Sequence, residues 1–268
     1  MLIRLNGLAF NAEARAGRGS RPPLLLLHGF TGSVRSWDEV RPRLAESAQV
    51  VALDVIGHGC SAAPAEPERY SFAWSVRDLS ALLDALGHES VDLLGYSMGG
   101  RLALQFALEA PRRVRSLILE SASPGIEDEA ERRRRAHADD ELARRIERHG
   151  VAAFVDEWER QPLLQPAAHV SAERRAALRA IRLRNSAVGL ANSLRGMGVG
   201  EQLPLWGRLA ELRMRVQLIV GERDTRYREI ATRMRERLQA GQLSVVAEAG
   251  HTVHLEQPEA FVGVLTTN

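Results

Sequence analysis

The most constraining feature of this 268-residue chain lies between positions 91 and 108. An apolar run, Val91–Leu94, passes directly into Gly95-Tyr96-Ser97-Met98-Gly99-Gly100 and then into helical sequence, Arg101–Leu108. A strand that turns sharply into a helix leaves no space for side chains on either side of the turning serine, so glycines flank it. The serine hydroxyl then stands at the carboxyl end of the strand, beside the amino terminus of the helix. Free backbone N–H groups and the helix dipole favour developing negative charge there.

The rest of the chain repeats the alternation. Short apolar runs stopped by glycine or a polar turn read as strands at Leu24–Leu27, Gln49–Leu53, Val114–Leu119, Val216–Val220 and Leu243–Val246. Helical periodicity appears at Ser75–Leu86, Ile230–Gln239 and Pro258–Leu265. Strands alternating with helices predict an α/β protein with a mainly parallel, doubly wound sheet. Residues 126–206 break the pattern: they are Arg-, Ala- and Glu-rich, helical throughout, and contain no convincing strand. The expectation is a core made of residues 1–125 and 207–268, with residues 126–206 inserted as a helical cap over the strand ends.

A serine hydroxyl is a weak nucleophile or base at neutral pH. It needs a histidine to accept its proton and a carboxylate to fix that histidine's tautomer. For a serine on this kind of turn the partners follow in the order acid, then histidine. Gly221-Glu222-Arg223-Asp224 follows the strand Val216–Val220 and makes Asp224 the candidate acid, with Glu222 as its competitor. Ala249-Gly250-His251 follows Leu243–Val246 and makes His251 the candidate base. His254 and His28 are assigned structural roles. Two backbone amides should stabilise an oxyanion: that of Met98, next to the serine, and that of Phe30, in the loop after Leu24–Leu27.

Composition narrows the function classes. All 36 basic residues are arginine, the formal net charge is +2, and 45% of residues are hydrophobic. Arginine lifts the isoelectric point without making the chain strongly basic at neutral pH. The arginines are not interleaved with aromatics as in a nucleic-acid-binding stripe, so no nucleic-acid partner is expected. The single cysteine, Cys60, excludes an internal disulfide. There is no P-loop and no zinc-type Cys/His spacing, hence no expected metal or cofactor. Met1–Phe10 lacks the basic start, apolar run and cleavage site of a signal peptide, and Leu24–Leu27 is far too short to span a membrane. A cytoplasmic protein without membrane insertion is expected. Oligomeric state is not legible.

His28-Gly29-Phe30-Thr31-Gly32-Ser33, Ser36-Trp37, Asp54, Gly57-His58-Gly59-Cys60-Ser61, the serine turn, Gly221-Glu222-Arg223-Asp224 and Ala249-Gly250-His251 together resemble the α/β-hydrolase superfamily. The resemblance covers nearly everything outside residues 126–206, and it implies the fold but no particular reaction. A narrower resemblance rests on Arg101 after the turn, Phe154-Val155-Asp156-Glu157-Trp158-Glu159, Gln161-Pro162-Leu163, Arg182-Leu183-Arg184-Asn185, Gly189-Leu190-Ala191, Ser193-Leu194-Arg195-Gly196-Met197-Gly198, Leu205-Trp206 and Ala249–Pro258. These segments are similar to the 2-succinyl-6-hydroxy-2,4-cyclohexadiene-1-carboxylate synthases of menaquinone biosynthesis. Two departures are Arg226 and Tyr227, where relatives often carry Lys and Phe, and a third is Ile56, where many have proline.

That resemblance implies a cofactor-free lyase, in which the serine acts as a base and pyruvate is eliminated from a small anionic substrate. It also implies that Arg101, Arg135 and Arg184 hold substrate carboxylates and that Tyr96 and Trp158 line the pocket. Arg132, Arg133 and Arg134 are adjacent alternatives to Arg135. A carboxylesterase or C–C bond hydrolase would need the same Ser97, Asp224 and His251, so these three do not decide the reaction; a pocket lined by arginines would.

Overall fold

The computed structural model describes residues 1–266. Eight strands form one sheet: β1 (Leu2–Leu5), β2 (Leu8–Arg15), β3 (Arg21–Leu27), β4 (Ala48–Leu53), β5 (Val91–Tyr96), β6 (Val114–Glu120), β7 (Arg215–Gly221) and β8 (Gly241–Val246). Their spatial order is β1-β2-β4-β3-β5-β6-β7-β8. From β4 to β8 every pairing is parallel, whereas β1–β2 and β2–β4 are antiparallel. The carboxyl ends of β3, β5, β7 and β8 therefore open on one edge, where the loops carrying Phe30, Ser97, Asp224 and His251 meet.

The central strands are apolar because helices cover both faces of the sheet. Alternate residues of β3 divide between two cores: Leu25 and Leu27 pack with Phe10, Leu79, Leu93 and Phe106, while Leu24 and Leu26 pack with Trp37, Val50, Leu94 and Phe261. Each fully buried aliphatic side chain contributes about 1.5–3 kcal/mol from its removal from water. Helices α1 (Phe72–Ala85), α2 (Met98–Glu109), α6 (Thr225–Arg237) and α7 (Pro258–Thr266) cover the sheet. Ser71 caps α1 by accepting from the Trp74 N–H, so the helix begins three residues before its apolar stripe.

Between β6 and β7 stand α3 (Glu129–Trp158), α4 (Ala172–Leu183) and α5 (Ala187–Met197). Asp128, Ser171 and Ser186 cap them through side-chain oxygens. α3 is broken at Gly150, whose φ of 79° is left-handed. A small apolar core of its own, including Ile146, Phe154, Val155, Leu190 and Leu194, binds α3 to α5 and touches Phe30 of the sheet loops. Among the described residues no helix is long and apolar enough to cross a membrane.

Candidate active site

The serine turn is built by close backbone approach. A Cβ on Gly95 would sit 2.3 Å from the Gly99 carbonyl oxygen, and one on Gly99 would sit 2.3 Å from the Leu27 carbonyl oxygen. Ser97 between them adopts φ 50°, ψ −108°, a left-handed conformation that costs of order 1–3 kcal/mol in a non-glycine residue. The Ser97 N–H is anchored to the Glu120 carbonyl at 2.8 Å, on neighbouring β6. This strain lifts the hydroxyl out of the sheet at the start of α2.

His251 Nε2 lies 3.2 Å from Ser97 Oγ, and His251 Nδ1 lies 2.6 Å from Asp224 Oδ2. With Nδ1–H donating to the carboxylate, Nε2 keeps its lone pair for the serine proton. Both His251 and Asp224 are buried. Asp224 has a second bond: Oδ1 accepts from the Tyr227 N–H at 3.2 Å and caps α6. Glu222 is exposed and accepts from the Glu248 N–H instead. The Phe30 and Met98 amides donate to no acceptor among the described residues.

The neighbouring histidines are held elsewhere. His28 Nε2 accepts from the Val55 N–H at 3.0 Å while Nδ1–H donates to the Gly29 carbonyl at 2.8 Å, and burial lowers its pKa. His254 bonds the buried Glu120 carboxylate at 2.7 Å. Neither reaches Ser97.

A cavity of about 520 Å³ opens over Ser97 and His251. Phe30, Met98, Arg101, Arg135, Trp158 and Tyr227 line it. Arg101 is 6% exposed and donates to the Gly198 carbonyl at 3.1 Å. Burial lowers its guanidinium to about 10, with Tyr227 and then Asp139 pulling the other way, so it is cationic at neutral pH. Arg135 enters the same cavity and donates from Nε to Asp139 at 2.8 Å. Arg133 faces away, paired with Glu129 on the solvent side.

Two expected pocket residues stand apart. Arg184 is the exposed C-cap of α4 and lines a neighbouring cavity of about 290 Å³ rather than the one over Ser97. Arg182, two residues earlier, is 7% exposed, pairs with Glu159 at 3.0 Å and lines the same second cavity, so this end of α4 borders that cavity and not the one over Ser97. Tyr96 also lines that second cavity, because it leaves β5 on the opposite side from Ser97; its hydroxyl meets Thr252 Oγ1 at 2.8 Å. Trp158 and Phe30, with ring centroids 5.4 Å apart, form the wall shared by the two cavities.

Sequence reading did not single out Asp139 as a lining residue, although its i+4 spacing from Arg135 was a visible ion-pair signal. Tyr227 registered only as a departure from relatives; its place three residues after the helix-capping acid is what points it at the site.

The strand order, the strained serine turn and the Ser–His–Asp geometry define a class. The chain belongs to the α/β hydrolase fold family, whose model matches residues 22–258. Its place within that family is with the 2-succinyl-6-hydroxy-2,4-cyclohexadiene-1-carboxylate synthases. It is 43% identical over 250 residues to the protein of Bacillus subtilis (strain 168) named as a putative synthase of that kind, spanning 93% of this chain and 91% of the relative. It is 31% identical to the synthase of Enterobacter sp. (strain 638), spanning 96% of this chain and 95% of the relative. The solved structure of MenH from S. aureus superimposes with a TM-score of 0.90 at 31% identity, covering 96% of this chain and 98% of that one.

Proposed function

We propose that this chain is a lyase that eliminates pyruvate from 2-succinyl-5-enolpyruvyl-6-hydroxy-3-cyclohexene-1-carboxylate, giving 2-succinyl-6-hydroxy-2,4-cyclohexadiene-1-carboxylate. The observation that carries the reading is the pair of arginines, Arg101 and Arg135, in the cavity over Ser97. A slot for a neutral acyl group has no use for two cations, whereas a substrate with several carboxylates does. The names of the relatives support the same choice.

In this reading Ser97 Oγ passes its proton to His251 Nε2 as it removes a proton from the substrate ring. The C2–H electron pair becomes the C2=C3 double bond, the existing C3=C4 pair shifts to C4=C5, and the C5–O bond to the enolpyruvyl group breaks with its electrons leaving on oxygen. Pyruvate departs as its enolate and takes up a proton at the methylene carbon. Asp224 orients His251 and stabilises the imidazolium that forms. The Phe30 and Met98 amides stabilise negative charge on the substrate during proton removal. Residues 126–206 act as a cap that supplies Arg135 and Trp158, over a core of residues 1–125 and 207–268. No step needs a cofactor, and a cytoplasmic location fits a small anionic substrate.

The test is pyruvate release from the enolpyruvyl substrate, measured beside p-nitrophenyl acetate cleavage, for wild type and Ser97→Ala. Fast pyruvate release that depends on Ser97, with feeble ester cleavage, supports the lyase. Ser97-dependent ester cleavage without pyruvate release would replace it with a hydrolase using the same three residues.

A further inference from the structure

Tyr227 is a polar group in the cavity that the mechanism above leaves unused. It occupies the third position of α6, and the Asp224 side chain fixes its backbone N–H. Its ring lies against the His251 imidazole, with centroids 4.7 Å apart. The residue lines the cavity together with Ser97, Arg101, Arg135 and His251. Its hydroxyl makes no hydrogen bond to any atom among the described residues. A phenol in such a setting normally finds a partner, and Tyr227 lines the cavity where a ligand would supply one.

The neighbouring cation has spare capacity too. Arg101 spends one N–H on the Gly198 carbonyl and rests its face 5.7 Å from the Phe72 ring centre; its remaining N–H groups have no acceptor among the described residues. Burial pushes the Tyr227 phenol up, and Arg101 is the strongest charge opposing that rise. The phenol is thus protonated at neutral pH and available as a donor, close enough to Arg101 for each to feel the other.

We propose that the Tyr227 hydroxyl and the Arg101 guanidinium together hold one carboxylate of the bound molecule, making Tyr227 a specificity-determining residue of this site. A carboxylate oxygen accepts both an N–H from a guanidinium and an O–H from a phenol, and Arg101 has N–H groups to spare for it. A neutral ester carbonyl could use the hydroxyl but would leave the spare N–H groups of Arg101 without an anionic acceptor. The proposal rests on the lyase reading for the identity of the substrate, though not for the carboxylate chemistry.

Tyr227→Phe removes only the oxygen and keeps the ring against His251, so the fold and the triad geometry are retained. The expected result is a rise in KM for the enolpyruvyl substrate of about 10-fold, the worth of one hydrogen bond to a charged group, with kcat within a factor of two. Cleavage of p-nitrophenyl acetate should not change. Succinate binding, followed by calorimetry on both proteins, gives a readout independent of turnover and should weaken by a similar factor. An unchanged KM and unchanged succinate affinity would overturn the proposal, as would equal losses on both substrates, which would mark a purely structural role beside His251. If wild type releases no pyruvate, the lyase reading fails; the succinate comparison then still decides the clamp, and wild-type protein that binds no succinate counts against it.

Discussion

Arg135 Nε donates to Asp139 Oδ1 at 2.8 Å, one helical turn along α3, and leaves both terminal nitrogens of the guanidinium without a partner among the described residues. Asp139 is 4% exposed, and its other oxygen has no hydrogen-bond donor among the described residues. A buried carboxylate is thus committed to one arginine at the edge of the cavity. It holds the flexible side chain in place while the two terminal groups remain available to a ligand.

Asp139→Asn keeps the shape but weakens that hold. KM for the enolpyruvyl substrate should rise roughly 3- to 10-fold, corresponding to about 1 kcal/mol, with kcat little changed. Steady-state kinetics of pyruvate release checks this. A fall in kcat at constant KM would show that Asp139 acts on the chemical step instead.

Asp224→Asn should lower kcat by about 10³- to 10⁴-fold, since an amide can favour the histidine tautomer that cannot take the serine proton. Asparagine is also a good helix N-cap, so α6 should still start normally. Circular dichroism and melting temperature close to wild type, together with the collapsed rate, would fit both of the bonds Asp224 makes. A variant retaining a tenth of the rate would contradict the assigned orientation of His251.

Gly99→Ala places a methyl group 2.3 Å from the Leu27 carbonyl oxygen, a backbone atom that cannot swing aside. The variant should be insoluble or lose several degrees in melting temperature, roughly 2 kcal/mol or more. Gly207→Ala, with no atom within 4 Å of the added carbon, serves as the control and should melt like wild type. Equal melting temperatures for the two variants would count against the packing described for the turn.

Stability should fall below neutral pH because of two enclosed histidines. Burial lowers His28, with Asp54 opposing, and burial followed by the His28 charge lowers His58 to about 3. In the unfolded chain both titrate near about 6.5. Well above that pH they are neutral in either state and contribute no pH dependence. As pH falls below it, the unfolded chain gains protons that the native protein refuses, so unfolding becomes easier until the native His58 titrates. Urea unfolding at pH 8, 6.5 and 5 should show only a small decline from this pair between the first two and a much larger one between the last two. An unchanged free energy between pH 6.5 and 5 would disprove the assignment.

The core strands were legible because parallel strands covered on both faces leave plain apolar runs, as in Leu24–Leu27 and Val91–Leu94. The triad geometry followed from strand ends and chain order. The hairpin Leu2–Arg15 escaped notice: its antiparallel strands mix exposed and buried positions, and no apolar run marks them. Arg184 and Tyr96 line the second cavity for reasons that residue order alone does not display. Tyr96 and Ser97 leave β5 on opposite sides, so a shift of one residue changes the cavity met, and Arg184 belongs to an end of α4 that borders the second cavity. Asp139 was within reach through its i+4 spacing from Arg135, whereas Tyr227 meets Arg101 and His251 only through the fold.

The close-packed crossing of Gly95, Gly99 and Leu27 also divides the molecule by how freely it can be rebuilt. The turn that presents Ser97 is clamped by main-chain atoms in van der Waals contact, so a substitution there breaks it before it can retune it. The helices between Glu120 and Arg215 meet the core mainly through side chains, with close backbone approach at Gly189 on Gly57 and Gly196 on Tyr70 that a donor segment would have to keep, and they carry Arg135 and Trp158 into the cavity. Transplanting that segment from a relative should exchange the preferred substrate while leaving the proton relay running, which makes it the natural unit for laboratory recombination.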